Sequence, residues 1–565
     1  MTEPIVPKIE DQALKENAAK PKKEKPAKAP KEVKAKAPAK KKIEGAEMKG
    51  IDVAKEDDLA EWYKQVLTKA KMIDYYDVSG CYILLPSACY IWRTIREWFT
   101  DNIETLGVEE GYFPIFISED NLTREKEHIE GFAAEVAWVT HGGNSKLEKR
   151  VAIRPTSETA MYGFFARHIQ SYQDLPLKLN QWNNVVRWEF KHPMPFLRSR
   201  EFLWQEGHTA HFTKAEADKE VLQILDWYAG IYEHLLAVPM VKGTKTNNEK
   251  FAGADYTTTV EGFIPSTGRG IQGGTSHMLG QHFSKMFDIK VEDPEKGPNG
   301  EAKPAINVWQ NSWGFTTRSI GVMIMIHSDN KGLVIPPRVA KTQVVIIPVG
   351  VTAKTSEEKK QELYGDVEKF AKDLRGTKAW DIKVRVETDT RDKYSPGWKF
   401  NDWELKGVPL RLEWGPKDKE AGVLTYSRRD TGAKSTIPVG DLTTEVPKLL
   451  ETIQGDLFTK ADAEYKEHRK EITNWDDFVP ALNSKNVCLI PHCEGDDCED
   501  EIKKMSARTS EGDSAAEDAR APSMGAKSLC IPFEQPDGIK EGETKCTNPN
   551  CKELAKRWVM FGRSY

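Results

Sequence analysis

Asn184-Val-Val-Arg187-Trp-Glu189, a polar loop with Pro193 and Pro195, then Phe196-Leu-Arg198-Ser199-Arg-Glu-Phe-Leu-Trp204-Gln-Glu206 is the stretch whose reading decides the fold. Short β-rich runs on either side of a proline-containing loop predict a hairpin, with strands over Asn184–Phe190 and Glu201–Thr209. Strand side chains repeat every second residue, so Arg187 and Glu189 are expected on one face. A lone Arg/Glu pair there reads equally well as a structural ion pair. The returning strand adds Arg198, Arg200, Glu201 and Glu206, and so many charges on one hairpin call for a ligand. A phosphate group fits, because guanidinium binds it bidentately, and a carboxylate can hold an amine.

Outward from the hairpin, the preceding chain reads as helices. Leu59, Trp62, Tyr63, Val66, Leu67 and Ala70 recur at helical spacing, as do Ile91, Trp92, Ile95, Trp98, Phe99 and Ile103 in a helix over Ser87–Leu106. A strand is expected over Tyr112–Ile117, interrupted by Pro114. After the hairpin, Thr213 with Glu216 three residues on forms a capping-box pattern opening a helix striped with Leu222, Leu225, Ile231 and Leu235. Helices beside a run of short strands predict an antiparallel sheet with flanking helices. After Pro337 the pattern becomes alternating: strand Gln343–Val349, helix Ser356–Leu374, strand Ile382–Glu387, a short helix near Trp398–Leu405 and strand Leu410–Trp414. That predicts a separate α/β domain. A long helix around Glu445–Lys470 leads to the end.

The 565 residues exceed one core, so several domains are expected. No run of eighteen apolar residues predicts a membrane span, and the first thirty residues lack a secretory apolar core. Net charge is −5, yet residues 20–42 hold eleven Lys against Glu24 and Glu32, a local +9 on a body near −14. A basic arm suits a polyanion such as RNA, or serves as a solubilising tail. Residues 1–50 cannot bury enough apolar surface to offset ordering entropy and read as disordered. Of eight Cys, Cys81 and Cys89 read as packed thiols, and six follow residue 487. Clustered Cys in a chain without a signal sequence suggests metal in a reducing, cytosolic setting. Cys493 and Cys498, then Cys546 and Cys551, form two pairs with spacing of four, and four thiolates suit a closed tetrahedral zinc. Cys488 and Cys530 are the competing ligands and read as packed thiols.

Gly268-Arg-Gly270-Ile-Gln-Gly273 fits a dinucleotide fingerprint, but it lacks the βαβ context that motif needs. The segments Arg154-Pro-Thr-Ser-Glu-Thr159, Arg187-Trp-Glu189, Phe196–His208, Gly270–His277 and Trp313-Gly-Phe-Thr-Thr-Arg318 together, in this order, resemble the signatures of class II aminoacyl-tRNA synthetases and, within them, the prolyl enzymes of eukaryotic and archaeal type. The likeness runs nearly continuously over residues 55–565.

The resemblance implies an α+β catalytic domain of the class II synthetase fold over 51–338. An α/β anticodon-binding domain over 339–460 and a small α+β zinc-containing C-terminal domain over 461–565 would follow. It implies ATP-dependent activation of L-proline and transfer to tRNA(Pro). Arg187 would touch the α-phosphate and the substrate carboxylate, and Arg318 the γ-phosphate of a bent ATP. Arg198 and Glu189 would flank the nucleotide, with Ser199 near the adenine. Gln272, Thr275 and Thr316 would line the nucleotide and its Mg²⁺, with Gln272 the residue nearest the ion. Thr156 and Glu158 would meet the imino-acid NH₂⁺, and Trp204 and His277 would close on the ring. It further implies a cytoplasmic homodimer joined through the Ser87–Leu106 helix and the Tyr112–Ile117 strand, an ordered Tyr565, and no editing insertion between His208 and Arg318. Arg391, Trp398, Lys399 and Phe400 mix cations with aromatics, as suits unstacked bases. A threonyl- or glycyl-tRNA synthetase, or a non-catalytic tRNA-binding scaffold, remain the rival readings.

Overall fold

The computed structural model describes residues 50–128, 136–188, 193–352, 355–507 and 525–565, with side chains 124–128 excepted. The Lys-rich extension therefore lies outside the described residues but for Gly50, as does Glu189.

Two helices come first among the described residues. Leu59–Lys69 starts where the Asp58 side chain accepts from Glu61 N, and Trp62, Tyr63, Val66 and Leu67 are buried along one stripe. Pro86–Glu104 has proline in its first turn, where no donor is needed, and buries Ile91, Trp92, Ile95, Phe99 and Ile103. Each large side chain taken from water contributes about 1.5–3 kcal/mol, so these stripes fix both helices on the sheet. Cys89 lies on the exposed side of the second helix and Cys81 is half-buried, so neither is the packed thiol expected.

The expected strand Tyr112–Ile117 does not form. Short strands Glu109–Glu110 and Phe116–Ser118 belong to different sheets. Pro114 between them has no N–H for a ladder.

The large sheet takes its strands in the order Val241–Thr244, Tyr256–Ile264, Arg269–Gly280, Trp309–Thr316, Glu201–His211 and Leu177–Val186, each antiparallel to the next. Of the dinucleotide-like glycines, Gly270 and Gly273 fall inside this ladder and Gly268 lies in the turn before it. The hairpin register pairs Val186 with Glu201 and Asn180 with Gly207. The Leu177–Val186 strand stops one residue before Arg187, although Arg187 N still donates to Arg200 O. Behind the sheet packs helix Lys214–Gly230, entered through the Thr213/Glu216 capping box. Its buried stripe holds Val221, Leu225 and Tyr228, whereas Leu222, expected inside, is 45% exposed. The chain continues into a π-helical turn, Ile231–Leu235, which restores the burial of Ile231 and Leu235.

The α/β unit has a five-stranded sheet ordered Val386–Thr388, Val344–Pro348, Leu410–Trp414, Val423–Arg428 and Lys434–Pro438, the first three parallel. Helices Glu357–Arg375 and Leu442–Glu467 pack on it. The single strand expected over Ile382–Glu387 is two. Trp380 and Asp381, both at positive φ, turn the chain so that Ile382–Lys383 pairs locally with Lys378–Ala379, and only Val386–Thr388 joins the main sheet.

The chain after residue 468 does not build a sheet of its own. Strands Arg469–Glu471, Val487–His492, Arg557–Ser564 and Lys527–Pro532 continue the large sheet. Ile531 and Pro532 pair with Thr244 and Gly243, and Arg563 and Ser564 pair with Arg269 and Gly270. With Glu109–Glu110 at the far edge, eleven strands make one sheet.

Candidate active site

Alternation along Glu201–His211 sorts its side chains. Phe202, Trp204, Glu206 and His208 line a cavity of about 550 Å³, while Gln205, facing away, accepts from Tyr228 Oη on the helix side. Gly207, also on the helix side, leaves room for the Trp313 ring, which a Cβ there would meet at 2.2 Å. On the neighbouring strand Ser312, Gly314 and Thr316 border the same cavity.

Arg269–Gly280 contributes Gln272, Thr275 and His277 to the cavity, a set that simple alternation forbids because 272 and 275 have opposite parity. A bulge resolves this: Val260 pairs with Gly274 and Glu261 with Gln272, so Gly273 is the extra residue. A Cβ at Gly273 would stand 2.5 Å from Met240 Cε and 2.7 Å from Tyr232 Cε2, so the bulge needs glycine. The strand Trp309–Thr316 runs into helix Arg318–His327. Arg318 N donates to Thr316 Oγ1 and its guanidinium donates to Gln272 O at 3.3 Å.

The cations are notable for what they lack. Arg187 Nε donates to Pro155 O at 3.0 Å, and its guanidinium lies 5.2 Å from the Trp204 ring centroid and 5.6 Å from that of Phe202. Among the described residues no carboxylate is within ion-pair distance of Arg187, Arg198 or Arg318. Burial lowers the Arg318 pKa, and the Arg187 and Arg198 charges lower it further. Like charges gathered in a partly desolvated cavity favour an anionic ligand. Arg198 is not part of the lining; burial and then Arg269 lower its pKa.

Thr156 and Glu158 line the cavity through a different device. Thr156 Oγ1 donates to Glu158 Oε2, and both side chains are buried. Beneath them Glu206, 2% exposed, accepts from Ser157 N at 3.0 Å, Ser157 Oγ, and the amides of Gln181 and Asn183 at 2.8 Å each. Burial alone would raise its pKa, but His208 at 3.1 Å and these donors hold it below the usual carboxylate range. His277 accepts or donates at Nδ1 to Thr257 Oγ1, 2.9 Å away, and its ring lies 4.8 Å from Phe251. Burial, then the charge of His208, drops its pKa to about 3, so the imidazole is neutral at pH 7 although its edge meets the cavity.

The cavity thus gathers Thr156, Glu158, Arg187, Ser199, Trp204, Gln272, Thr275, His277, Thr316 and Arg318 from the expected set. Sequence reasoning missed Phe202 and His208, which two-residue steps from Trp204 reach. It also missed Glu249, Lys250, Phe251 and Ala252, for which the sequence carries no motif or period.

Far along the chain, Cys498 Sγ lies 3.7 Å from Cys546 Sγ and Cys551 Sγ lies 3.6 Å from Cys493 Sγ. A zinc about 2.3 Å from four tetrahedral sulfurs sets them about 3.8 Å apart, so these contacts match its edges. The Cys498 thiol holds Cys546 well below the usual thiol pKa. His492, missed from sequence, brings a ring nitrogen within 4.8 Å of the Cys493, Cys498 and Cys546 sulfurs. Cys488 and Cys530 are buried in the adjoining cores. In the α/β unit Trp398 stacks on Tyr394 with centroids 3.9 Å apart, while Lys399, expected to meet bases, is buried and donates to Asp389 O.

Comparison with known proteins matches residues 138–327 to the tRNA synthetase class II core domain (G, H, P, S and T). Residues 343–449 match an anticodon binding domain, and residues 475–565 the C-terminal domain of prolyl-tRNA synthetase. A putative proline–tRNA ligase of Saccharomyces cerevisiae is 56% identical over 92% of this chain and 74% of its own length. The cytoplasmic proline–tRNA ligase of Arabidopsis thaliana is 51% identical over 91% of each. Two crystal structures of prolyl-tRNA synthetase from Cryptosporidium parvum superpose with TM-scores of 0.83 and 0.82. The first, with halofuginone and AMPPNP, is 49% identical and covers 92% of this chain and 100% of its own. The second, with L-proline and AMP, is 47% identical and covers 92% and 98%.

Proposed function

Since this chain belongs to the prolyl-tRNA synthetase family of class II aminoacyl-tRNA synthetases, we propose that the 550 Å³ cavity is where it joins proline to ATP. The activity is that of a proline–tRNA ligase: proline is activated to prolyl-adenylate with release of pyrophosphate, then passed to the 3′ end of tRNA, releasing AMP. The observation that carries the site assignment is one cavity holding Arg187 and Arg318 without carboxylate partners beside the Thr156–Glu158 pair, Trp204 and His277.

In the first step a proline carboxylate oxygen attacks the α-phosphorus, a P–O bond to the β-phosphate breaks, and the electron pair leaves on pyrophosphate. No protein nucleophile or proton transfer is required, so catalysis reduces to alignment and charge stabilisation. Arg187, held by Pro155 O, bridges the carboxylate and the α-phosphate. Arg318, at the start of its helix, takes the γ-phosphate, and Arg198 adds positive potential from behind. Phe202 offers an aromatic face to the purine, with Ser199 and Glu189 flanking it. Gln272, Thr275 and Thr316 present neutral oxygens beside the phosphates, a donor set that fits Mg²⁺ held mainly through phosphate. The ion there would neutralise developing charge. Glu158 and Thr156 receive the NH₂⁺ group, and Trp204 with neutral His277 excludes water from the ring. ATP–pyrophosphate exchange tests this reading; exchange absent with proline and present with another amino acid refutes it.

Zinc is assigned to Cys493, Cys498, Cys546 and Cys551. Cys551→Ala should release it and His492→Ala retain it, by metal analysis; the reverse pattern moves the fourth ligand to His492. Exposed Tyr75, Tyr76 and Ile83 before helix Pro86–Glu104, and Tyr112 and Phe116 after it, support a homodimer through this part of the chain. Sedimentation of Tyr112→Asp tests it. The α/β unit over 339–460 is assigned to the anticodon, 51–338 to catalysis and 461–565 to the metal, in an enzyme of the cytoplasm.

A further inference from the structure

The segment following strand Val241–Thr244 forms one wall of the cavity through Glu249, Lys250, Phe251 and Ala252. It contains no regular element of its own, and its hold on position comes from the final third of the chain. Thr246, Ser528 and Glu499 are all buried. Ser528 Oγ donates to Glu499 Oε1, and Thr246 Oγ1 lies 2.9 Å from Ser528 Oγ and also hydrogen-bonds the Glu499 carboxylate. Thr246 O in turn accepts from Glu249 N and Lys250 N, which turns the chain toward the cavity. Asn248 Nδ2 donates to Asp496 O, and Lys527 Nζ pairs with Glu249 at 3.3 Å. Phe251 N then donates to Thr257 Oγ1, the same hydroxyl that contacts His277.

We infer that Glu499 and Ser528, acting through Thr246, are positioning residues for the proline pocket, because they fix the turn that sets Phe251 against His277. The inference rests on the assignment of that pocket to the proline ring. Glu499 and Ser528 touch no cavity surface, so their effect reaches substrate only through the wall. The phosphate-facing residues Arg187, Thr316 and Arg318 lie outside this segment, and none of them bonds to Thr246, Glu499 or Ser528 in the contacts described above.

The test is the full-length holoenzyme in ATP–pyrophosphate exchange, with KM for proline and for ATP, zinc content and Tm read together. Thr246→Val keeps the shape and removes the donor. It should raise KM for proline about tenfold, with KM for ATP and zinc content unchanged, since sub-ångström displacement of a binding wall costs on this scale. Thr246→Ser should restore the wild-type value. If Thr246→Val yields no folded protein, Asn248→Ala on the surface should raise proline KM two- to threefold, about the loss of one exposed hydrogen bond. Unchanged proline KM, or ATP KM rising in parallel, overturns the inference. Trp204→Ala run alongside separates the two levels: if it raises proline KM while Thr246→Val does not, the positioning role falls and the pocket stands. If neither does, both fall.

Discussion

Arg187 in the catalytic cavity and Arg391 in the α/β unit sit over aromatic pairs at nearly the same distance. Arg187 lies 5.2 and 5.6 Å from Trp204 and Phe202, and Arg391 lies 5.2 Å from each of Tyr394 and Trp398. Their other partners differ. Arg391 donates twice to Asp389, at 2.8 and 2.6 Å, and once to Asp402. Nearby Arg429 is bidentate to Asp329, and Arg428 reaches Asp430 and Asp456. The guanidinium groups of Arg187 and Arg318 donate only to backbone carbonyls among the described residues. A cation beside an aromatic ring therefore says little about ligand binding by itself. Whether a carboxylate already occupies the fork separates a structural arginine from one waiting for an anion.

The largest expected effect lies on the unpaired side. Arg318→Ala should lower kcat/KM for ATP–pyrophosphate exchange about 10³-fold, roughly 4 kcal/mol of transition-state stabilisation, with little change in Tm. A loss below tenfold would erase the contrast. On the paired side the readouts exchange places. Asp389→Ala strips buried Lys399 of its anion, leaves Arg391 with Asp402 alone, and should cost about 3 kcal/mol of stability, seen as a lower Tm. Exchange with proline, measured below the new Tm, should remain near wild type, and a collapse in exchange would show that the two regions are not separable.

The smallest effect concerns acid. His277 has a folded pKa of about 3 against about 6.5 unfolded. The unfolded chain takes up this proton as pH falls through 6.5 and the native state does not, so stability falls with pH until about 3. His277→Asn should flatten the decline of Tm between pH 7 and 5 by the equivalent of about 1–2 kcal/mol. Glu206 acts at lower pH and with a shift in the same direction. Its depressed pKa supports the fold above the usual carboxylate range and is lost on further acidification.

How much of this was legible in sequence follows from the range of each signal. Helix stripes and the capping box are local, and they predicted Trp62, Ile95 and the Thr213 start correctly. Strict alternation explains Trp204 and Glu206, and motif resemblance brought Gln272 and His277 to one cavity. The physical reason they share it, the Gly273 bulge, is invisible without the register. Strand reasoning carried Arg187 too far, since the ladder ends at Val186. The Glu249–Ala252 wall was unreadable because contacts nearly three hundred residues away hold it: Thr246 and Ser528 are separated by 282.

That separation also bears on how the protein is made. A chain emerging from its N-terminal end completes strand Val241–Thr244 long before its neighbour Lys527–Pro532 exists. Until then the catalytic sheet presents an open row of backbone donors and acceptors, the kind of edge that recruits other chains. Sealing it needs Arg557–Ser564 as well, which sits inside the C-terminal half of the sheet and reaches back to Arg269. Synthesis halted before that strand would leave a translation product with this edge open, whose hazard is aggregation.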